Sequence, residues 1–290
     1  MRKIFTIFLA CSSYAVFAQH AKFARVNDVN HTRNKTKQTL TDNTTWYGRV
    51  GAGYAFPQGG QIISILGTPY SGSAAYDNSG IHQTSFDYKK ASMNAGVNAV
   101  IAGGRMFGPH IGLELAAQFN IAPTKYTFNG QNLPLAGGGV VDVTVVSQAK
   151  FPIFLIPAVV FQSQVSNSLE GYGRLGLVLP LNTKVNTDVS SDGQQGYTSV
   201  QSAKFNLGFS GALGLKYALR SGLRLWAEFN VMSLSVYTKK EVATYPSGIT
   251  TTQTFSLKGS NPNSSANGPQ ATSSVPFSNA GVLVGISMSL

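Results

Sequence analysis

The chain has 290 residues, of which 22 are lysine or arginine and 11 are acidic, so it carries a formal charge of +11. Only 11% of the residues are charged, against about 25% in soluble domains, which is unusual for a surface that faces water. A single cysteine excludes an intramolecular disulfide framework and Cys-rich zinc sites, and no apolar run reaches the roughly 18 residues that a membrane-spanning helix needs.

The N-terminus has the pattern of a secretory signal peptide over residues 1–18. A short basic start precedes an apolar stretch, and a small-x-small cleavage site ends at Ala18. We therefore expect the mature chain to begin at Gln19. Lipidation of Cys11 is the alternative, but the residues before it match the small-residue approach of a lipoprotein signal poorly.

A polar segment, residues 19–44, follows the predicted signal peptide. Its lysines and arginines stand among Asn, Thr and His with no apolar period. This composition predicts a disordered periplasmic lead-in rather than a folded element.

From Thr45 onward, apolar residues recur at every second position, which is the period of a β-strand. The clearest run places Leu113 and its alternate neighbours on one face, and Glu114 and Gln118 on the other. The eight alternating runs cover residues 46–56, 93–101, 110–121, 141–161, 170–181, 204–217, 223–231 and 280–290.

Two features favour a barrel over a sandwich. The less apolar face of the runs consists mainly of Gly, Ser, Asn and Ala, which suit the crowded lumen of a narrow barrel. Short and long connections alternate, as they do in outer-membrane barrels. The short ones are residues 103–109, 162–169 and 218–222, and the long ones lie around residues 57–90, 122–145, 182–200 and 238–275.

These features predict an all-β fold, a transmembrane antiparallel up-and-down β-barrel of eight strands over residues 45–290, with four long outer loops. A strand of about 10 residues, tilted by about 40°, crosses an apolar layer of about 25 Å. The sheet must close because a backbone edge cannot stay unpaired in lipid. Ten strands remain an alternative if a long loop contains an inserted hairpin, and a secreted β-sandwich is the soluble alternative.

With its signal peptide, its eight alternating runs and its last strand, the chain resembles the small OmpA/OmpX-type outer-membrane barrels. The last strand is similar to the C-terminal signal read by the barrel-insertion machinery, although it ends in Leu290 rather than in an aromatic residue. The resemblance implies a Gram-negative outer membrane as location. It also implies outer-membrane lipid and the barrel-insertion machinery as partners. We expect no cofactor.

The resemblance implies an architecture more than an activity. We expect a non-enzymatic role in envelope structure and in surface interaction or adhesion through the long loops, with a host or cell surface as a possible ligand. A narrow pore for small solutes or ions is the alternative.

Four charged residues fall at similar depth on the inward faces of alternate strands. They are Arg49, Glu114, Arg174 and Glu228, with alternating sign, and Glu170, Arg224 and Lys216 could extend the set. Because a lone charge in a narrow lumen is costly, we predict that the four form a charge cluster. Three interpretations stay open, namely a plug, a gate in a narrow path, and chance placement in a wet pore.

Lysines accumulate near the predicted outer ends of the strands, where lipopolysaccharide phosphates lie in an outer leaflet. Each lysine near an anionic surface contributes about 1 kcal/mol, so the sequence predicts a lipopolysaccharide-binding rim. Ordinary snorkelling at the interface is the alternative. The rim residues are Lys89, Lys90, Lys125, Lys150, Lys184, Lys204, Lys239 and Lys240.

Other functions have weak support in the sequence. A lipid-modifying enzyme would need a catalytic histidine, and His82 lies beside Asp77 and Ser79 in the first long loop, but without a defined nucleophile–base spacing. No His/Asp/Glu spacing matches a metal-ligand set. The basic charge forms no stripe on a soluble face, so we do not expect nucleic acid as a partner.

Overall fold

The computed structural model describes residues 44–58, 64–65, 68–69, 72–134, 138–220, 222–256, 270–271 and 274–290. The predicted signal peptide lies outside these residues, as does the lead-in apart from Thr44. In the part of the chain that the structure describes, no helix is long and apolar enough to cross a bilayer. The strands, in chain order, are β1 (Thr44–Pro57), β2 (Ser64–Ile65), β3 (Thr68–Pro69), β4 (Gly72–Tyr76), β5 (Gln83–Tyr88), β6 (Gly96–Phe107), β7 (Ile111–Pro123), β8 (Tyr126–Pro134), β9 (Val140–Ala149), β10 (Ile153–Gln164), β11 (Leu169–Asn182), β12 (Val185–Ser191), β13 (Gln194–Ala203), β14 (Gly208–Arg220), β15 (Leu223–Ser233), β16 (Ser235–Thr244), β17 (Thr250–Ser256), β18 (Gln270–Ala271), β19 (Ser274–Pro276) and β20 (Asn279–Ser289).

Eight of these strands close into a barrel in the order β1-β20-β15-β14-β11-β10-β7-β6. Neighbouring strands are antiparallel, and the first and last strands pair from Tyr47 opposite Ser289 to Pro57 opposite Asn279. The predicted eight-stranded antiparallel barrel is therefore confirmed, and the hairpins of the long connections do not enter its wall. The shortest barrel strands have 11 residues, which at about 3.3 Å per residue and a tilt of about 40° span about 28 Å along the barrel axis.

The exterior of the barrel is apolar. Leu113, Leu207 and Val284 point outward with 53%, 51% and 53% of their surface exposed, and they do not share an interior as they would in a sandwich. Large aromatic side chains are exposed towards both ends of the barrel, in the arrangement of aromatic girdles. Those near the short turns are Trp46, Phe107, Phe161 and Tyr217, and those near the long connections are Tyr54, Phe56, Phe151 and Phe209.

The four long connections are present, between β1 and β6, β7 and β10, β11 and β14, and β15 and β20, but much of their described length is strand rather than irregular loop. Their described residues form a second sheet, in the order β18-β17-β16-β13-β12-β9-β8-β4-β5, with β19 paired to β16. Barrel strands continue into it through short junctions such as residues 124–125 and 183–184. The sequence signal was weak because Thr, Ser and Val occupy both faces of these strands, so no apolar period marks them.

Several predicted strand limits also need correction. The run 141–161 is two strands, β9 and β10, because the chain bends at Phe151, whose φ is +47°. The strand β6 continues to Phe107, so the predicted turn 103–109 shrinks to residues 108–110. The strand β14 begins at Gly208 and leaves residues 204–207 outside.

Residues 91–95, predicted in part as strand, fold inward and fill the barrel mouth next to the second sheet. Ala91 to Ala95 are all buried. The Tyr126 hydroxyl donates a hydrogen bond to the Ser92 carbonyl oxygen at 3.0 Å, and the Met93 amide donates to the Pro276 carbonyl oxygen at 2.8 Å. These contacts hold this inward segment against β8 and β19.

Candidate functional site

The structure brings the four predicted lumen charges together. Arg49 lies on β1, Glu114 on β7, Arg174 on β11 and Glu228 on β15, and none is more than 8% exposed. In the barrel order, β1 stands opposite β11 and β7 stands opposite β15. The two arginines therefore approach from opposite walls, and the two glutamates from the walls between them. We call these four residues the quartet.

Each carboxylate of the quartet binds both arginines. Arg49 donates to both oxygens of Glu114, from Nε and Nη2 at 2.9 Å each, and from Nη1 to Glu228 at 3.2 Å. Arg174 donates from Nη1 to Glu114 at 3.0 Å and from Nη2 to Glu228. The ring of ion pairs is closed and has no net charge, which offsets the cost of burying it.

Two tyrosines complete the hydrogen bonding of the carboxylates. The Tyr47 hydroxyl donates to Oε2 of Glu114 at 2.9 Å, and the Tyr172 hydroxyl donates to Oε2 of Glu228 at 2.8 Å. The Trp226 ring covers the Arg49 guanidinium at 4.6 Å from its centroid. The charges thus lie among hydrogen-bond donors and aromatic rings, as buried ion pairs require.

Inward-facing glycines make room for these rings. A Cβ atom on Gly104 would lie 2.5 Å from the Tyr47 ring, and one on Gly214 would lie 2.7 Å from the Tyr172 ring. Gly104 stands between Tyr47 and Glu114 in the register of the three adjacent strands. Each tyrosine can therefore lie across a glycine and reach the carboxylate on the strand beyond.

The arrangement of side chains on one wall of the lumen is repeated on the opposite wall. The segment Tyr-Gly-Arg occurs at residues 47–49 and again at 172–174, on two opposite strands. Tyr172, Gly214 and Glu228 are in register on adjacent strands, as Tyr47, Gly104 and Glu114 are on the other side. The site therefore has an approximate twofold axis along the lumen.

Beyond the quartet, the side chains of Glu170, Arg224 and Lys216 lie closer to the short turns. Arg224 Nη2 pairs with Glu170 Oε1 at 3.2 Å. Lys216 Nζ lies 4.7 Å from the centroid of the Tyr172 ring and 5.2 Å from that of Tyr47. The three residues do not enlarge the quartet by direct ion pairs, since the described ion pairs of Glu114 and Glu228 are with Arg49 and Arg174.

The predicted rim lysines lie near the junction between the barrel and the second sheet. Seven are exposed and Lys204 is half-buried. The Lys150 amide donates to the Lys184 carbonyl oxygen at 2.8 Å, so those two residues stand side by side. Lys239 and Lys240 lie within β16, above the junction. Six of the eight, all but Lys239 and Lys240, therefore lie in segments between strands at the long-connection end of the barrel.

The arrangement around His82 is that of a turn. The Asp77 carboxylate accepts hydrogen bonds from the Ser79 hydroxyl at 2.6 Å and from the Ile81 amide at 3.1 Å. The Ser79 hydrogen bond lowers the pKa of Asp77 below its usual range. These contacts stabilise the connection between β4 and β5.

Sequence reasoning missed the tyrosines, the glycines and Trp226 as parts of the site. The repeated Tyr-Gly-Arg segment was a signal that could have identified both tyrosines. The glycines carry no such signal, because their role appears only once the register of three strands is known.

No family model matches the sequence, and no curated protein is similar to it. Among solved structures, the outer membrane protein OprG from Pseudomonas aeruginosa is 16% identical, with a TM-score of 0.41 and coverage of 85% of this chain and 96% of that chain. Ail, the attachment invasion locus protein of Yersinia pestis, solved in complex with the heparin analogue sucrose octasulfate, is 10% identical. Its TM-score is 0.30, with coverage of 85% of this chain and 97% of that chain.

Proposed function

We propose that the chain is an integral, non-enzymatic protein of the outer membrane, with a closed lumen and a second sheet that meets the cell's surroundings. The observation that carries this proposal is the apolar exterior of a closed barrel that holds a buried quartet inside. A water-soluble barrel would place its apolar residues inside and its charges outside. In lipid, the observed inversion is the stable arrangement.

The membrane location is tested by fractionation and electrophoresis of the expressed protein. We expect it in the outer-membrane fraction, extractable only with detergent, and we expect unboiled samples to migrate differently from boiled ones. Recovery of folded protein in the soluble periplasmic fraction would overturn the proposal.

For the second sheet we propose a role in contact with neighbouring or host surfaces. Its hairpins are rich in exposed polar residues such as Thr251, Thr252, Gln194 and Gln195, which can exchange hydrogen bonds with a partner. Cells that express the protein should adhere to host-cell layers better than cells that express a variant with shortened β12–β13 and β16–β17 hairpins. The variant must keep the heat-dependent migration of the barrel, and equal adhesion by such a variant would exclude this role.

For the rim lysines we propose contact with lipopolysaccharide phosphates. The support is their placement around one end of an apolar barrel, where head groups of an outer leaflet would lie. Replacing Lys125, Lys150, Lys184 and Lys204 with Gln should reduce the lipopolysaccharide retained on purification. The matched control changes the same four lysines to Arg. If the Gln and Arg variants retain equal amounts of lipopolysaccharide, the rim lysines do not bind it.

A narrow path for ions is a second candidate, favoured by a cavity that opens into the lumen from the short-turn end. The quartet and the inward segment block this path, so we expect low conductance of the wild-type protein in planar bilayers. Glu228→Ala should raise conductance if the quartet is the barrier. Unchanged conductance of a folded variant would remove the gate interpretation of the quartet.

A further inference from the structure

The lumen contains a polar cavity of about 330 Å³ between the quartet and the short turns. Its volume is at the lower end of the range for small-molecule sites. The polar side chains that line it include Thr45, Gln162, Lys216, Arg224, Ser287 and Ser289.

Lys216 is the unusual member of this lining. It is only 5% exposed, and its Nζ donates a hydrogen bond to Gln162 Oε1 at 3.3 Å. Within the described chain, no carboxylate oxygen lies within 4 Å of this ammonium group. The Tyr47 and Tyr172 rings supply cation–π contacts, which compensate only part of the cost of burying a cation.

The charges around the cavity do not cancel. The quartet above it is neutral, and Arg224 is paired with Glu170 at 3.2 Å. Among the described residues that line the cavity, Lys216 is therefore a cation without a direct ion pair. Hydroxyl groups face the same space, and Ser289 already accepts a hydrogen bond from Arg224 Nη1 at 3.0 Å.

We propose that this cavity is a binding site for a small oxyanion, a carboxylate or a phosphate, with Lys216 as its counter-ion. The ligand enters from the short-turn end, and the serine and threonine hydroxyls complete its hydrogen bonds. A charge-assisted hydrogen bond to a buried ammonium is stronger than a neutral one. This site goes beyond the envelope role proposed above and does not depend on what the second sheet contacts.

The test uses the full chain in detergent micelles, labelled with ¹⁵N, and titrated separately with sodium acetate and with inorganic phosphate. Ionic strength is kept constant with chloride. We expect saturable shifts of the Ser287 and Ser289 amide signals with acetate, phosphate or both, and the comparison of the two titrations identifies the preferred oxyanion. Shifts that grow linearly with anion concentration, or that are as large with chloride alone, would overturn the proposal.

Variants of Lys216 decide whether the ammonium is the counter-ion. Lys216→Met should weaken binding about tenfold or more, which corresponds to about 1.4 kcal/mol, whereas Lys216→Arg should retain it. Arg105→Met is the control and should bind as wild type, because it removes a cation of β6 that does not line the cavity and lies 5.5 Å from the centroid of the Trp46 ring. If Lys216→Met fails to fold, Lys216→Gln removes the charge and keeps a polar group, and wild-type affinity in either variant would refute the site.

Discussion

Tyr47 and Tyr172 occupy equivalent positions on opposite walls of the barrel, and each donates a hydrogen bond across a glycine to the glutamate two strands away. Each is followed two residues later by an arginine that binds both glutamates. Because the two halves of the site are equivalent, a substitution in one half should change stability as much as the equivalent substitution in the other half.

Removal of one carboxylate should destabilise the barrel strongly. Glu228→Ala leaves two buried arginines facing a single glutamate, and loss of one partner of a buried ion pair costs about 3–5 kcal/mol. Urea unfolding in lipid vesicles measures the change. Glu170→Ala is the matched control, because its pair with Arg224 is partly exposed and should contribute at most about 1 kcal/mol. Equal losses of unfolding free energy in the two variants would contradict the claim that the Glu228 ion pairs matter more to stability than the Glu170 pair.

The two tyrosine hydroxyls should contribute similar free energies of unfolding. Each donates to a buried carboxylate, and a hydrogen bond to a charged group is worth about 1.5–3 kcal/mol. We expect Tyr47→Phe and Tyr172→Phe to lower stability by nearly equal amounts in the same unfolding experiment. A large loss in one variant with none in the other would show that the twofold relationship is only geometric.

The glycine beneath Tyr47 should not tolerate a side chain. A methyl group on Gly104 would overlap the tyrosine ring, whereas on the neighbouring Gly103, which faces outward, the nearest atom is 4.0 Å away. Overpacking of this kind costs about 1–3 kcal/mol. Gly104→Ala should therefore unfold at lower urea concentration than wild type, and Gly103→Ala should not. Similar urea-unfolding midpoints for both variants would argue against close packing of the Tyr47 ring on Gly104.

A charge on the outer wall tests whether the barrel faces hydrocarbon. Val284 lies at the middle of β20 and points outward, so Val284→Lys should cost about 2–4 kcal/mol in a bilayer. The same substitution at the exposed Thr251 of the second sheet should have little effect. A barrel wetted by water would accept both changes equally, and folding yields in vesicles distinguish the two cases.

The strands of the barrel could be predicted because lipid on one side and a narrow lumen on the other impose a strict alternation, as at Leu113 and Glu114. The alternation also predicted that the quartet lies on the lumen-facing side of the strands. It could not reveal that residues 91–95 turn inward, because Met93 and Ala95 continue the alternation of β6, or the second sheet, where Thr and Ser suit either face. The contact of Tyr47 with Glu114 depends on the register of three strands, which period alone does not define.

The seam between β1 and β20 joins the first and last strands of the barrel and so completes its wall. A shift of the β1–β20 register by two residues would keep every apolar side chain on the outer face. The alternation of apolar residues therefore does not prevent such a shift. It would, however, move Arg49 about 6.7 Å along the strand direction relative to Glu228 on β15, and so break their 3.2 Å contact. The contacts of the quartet form only in the correct register. They therefore disfavour misaligned closures of the barrel that the apolar pattern alone would allow.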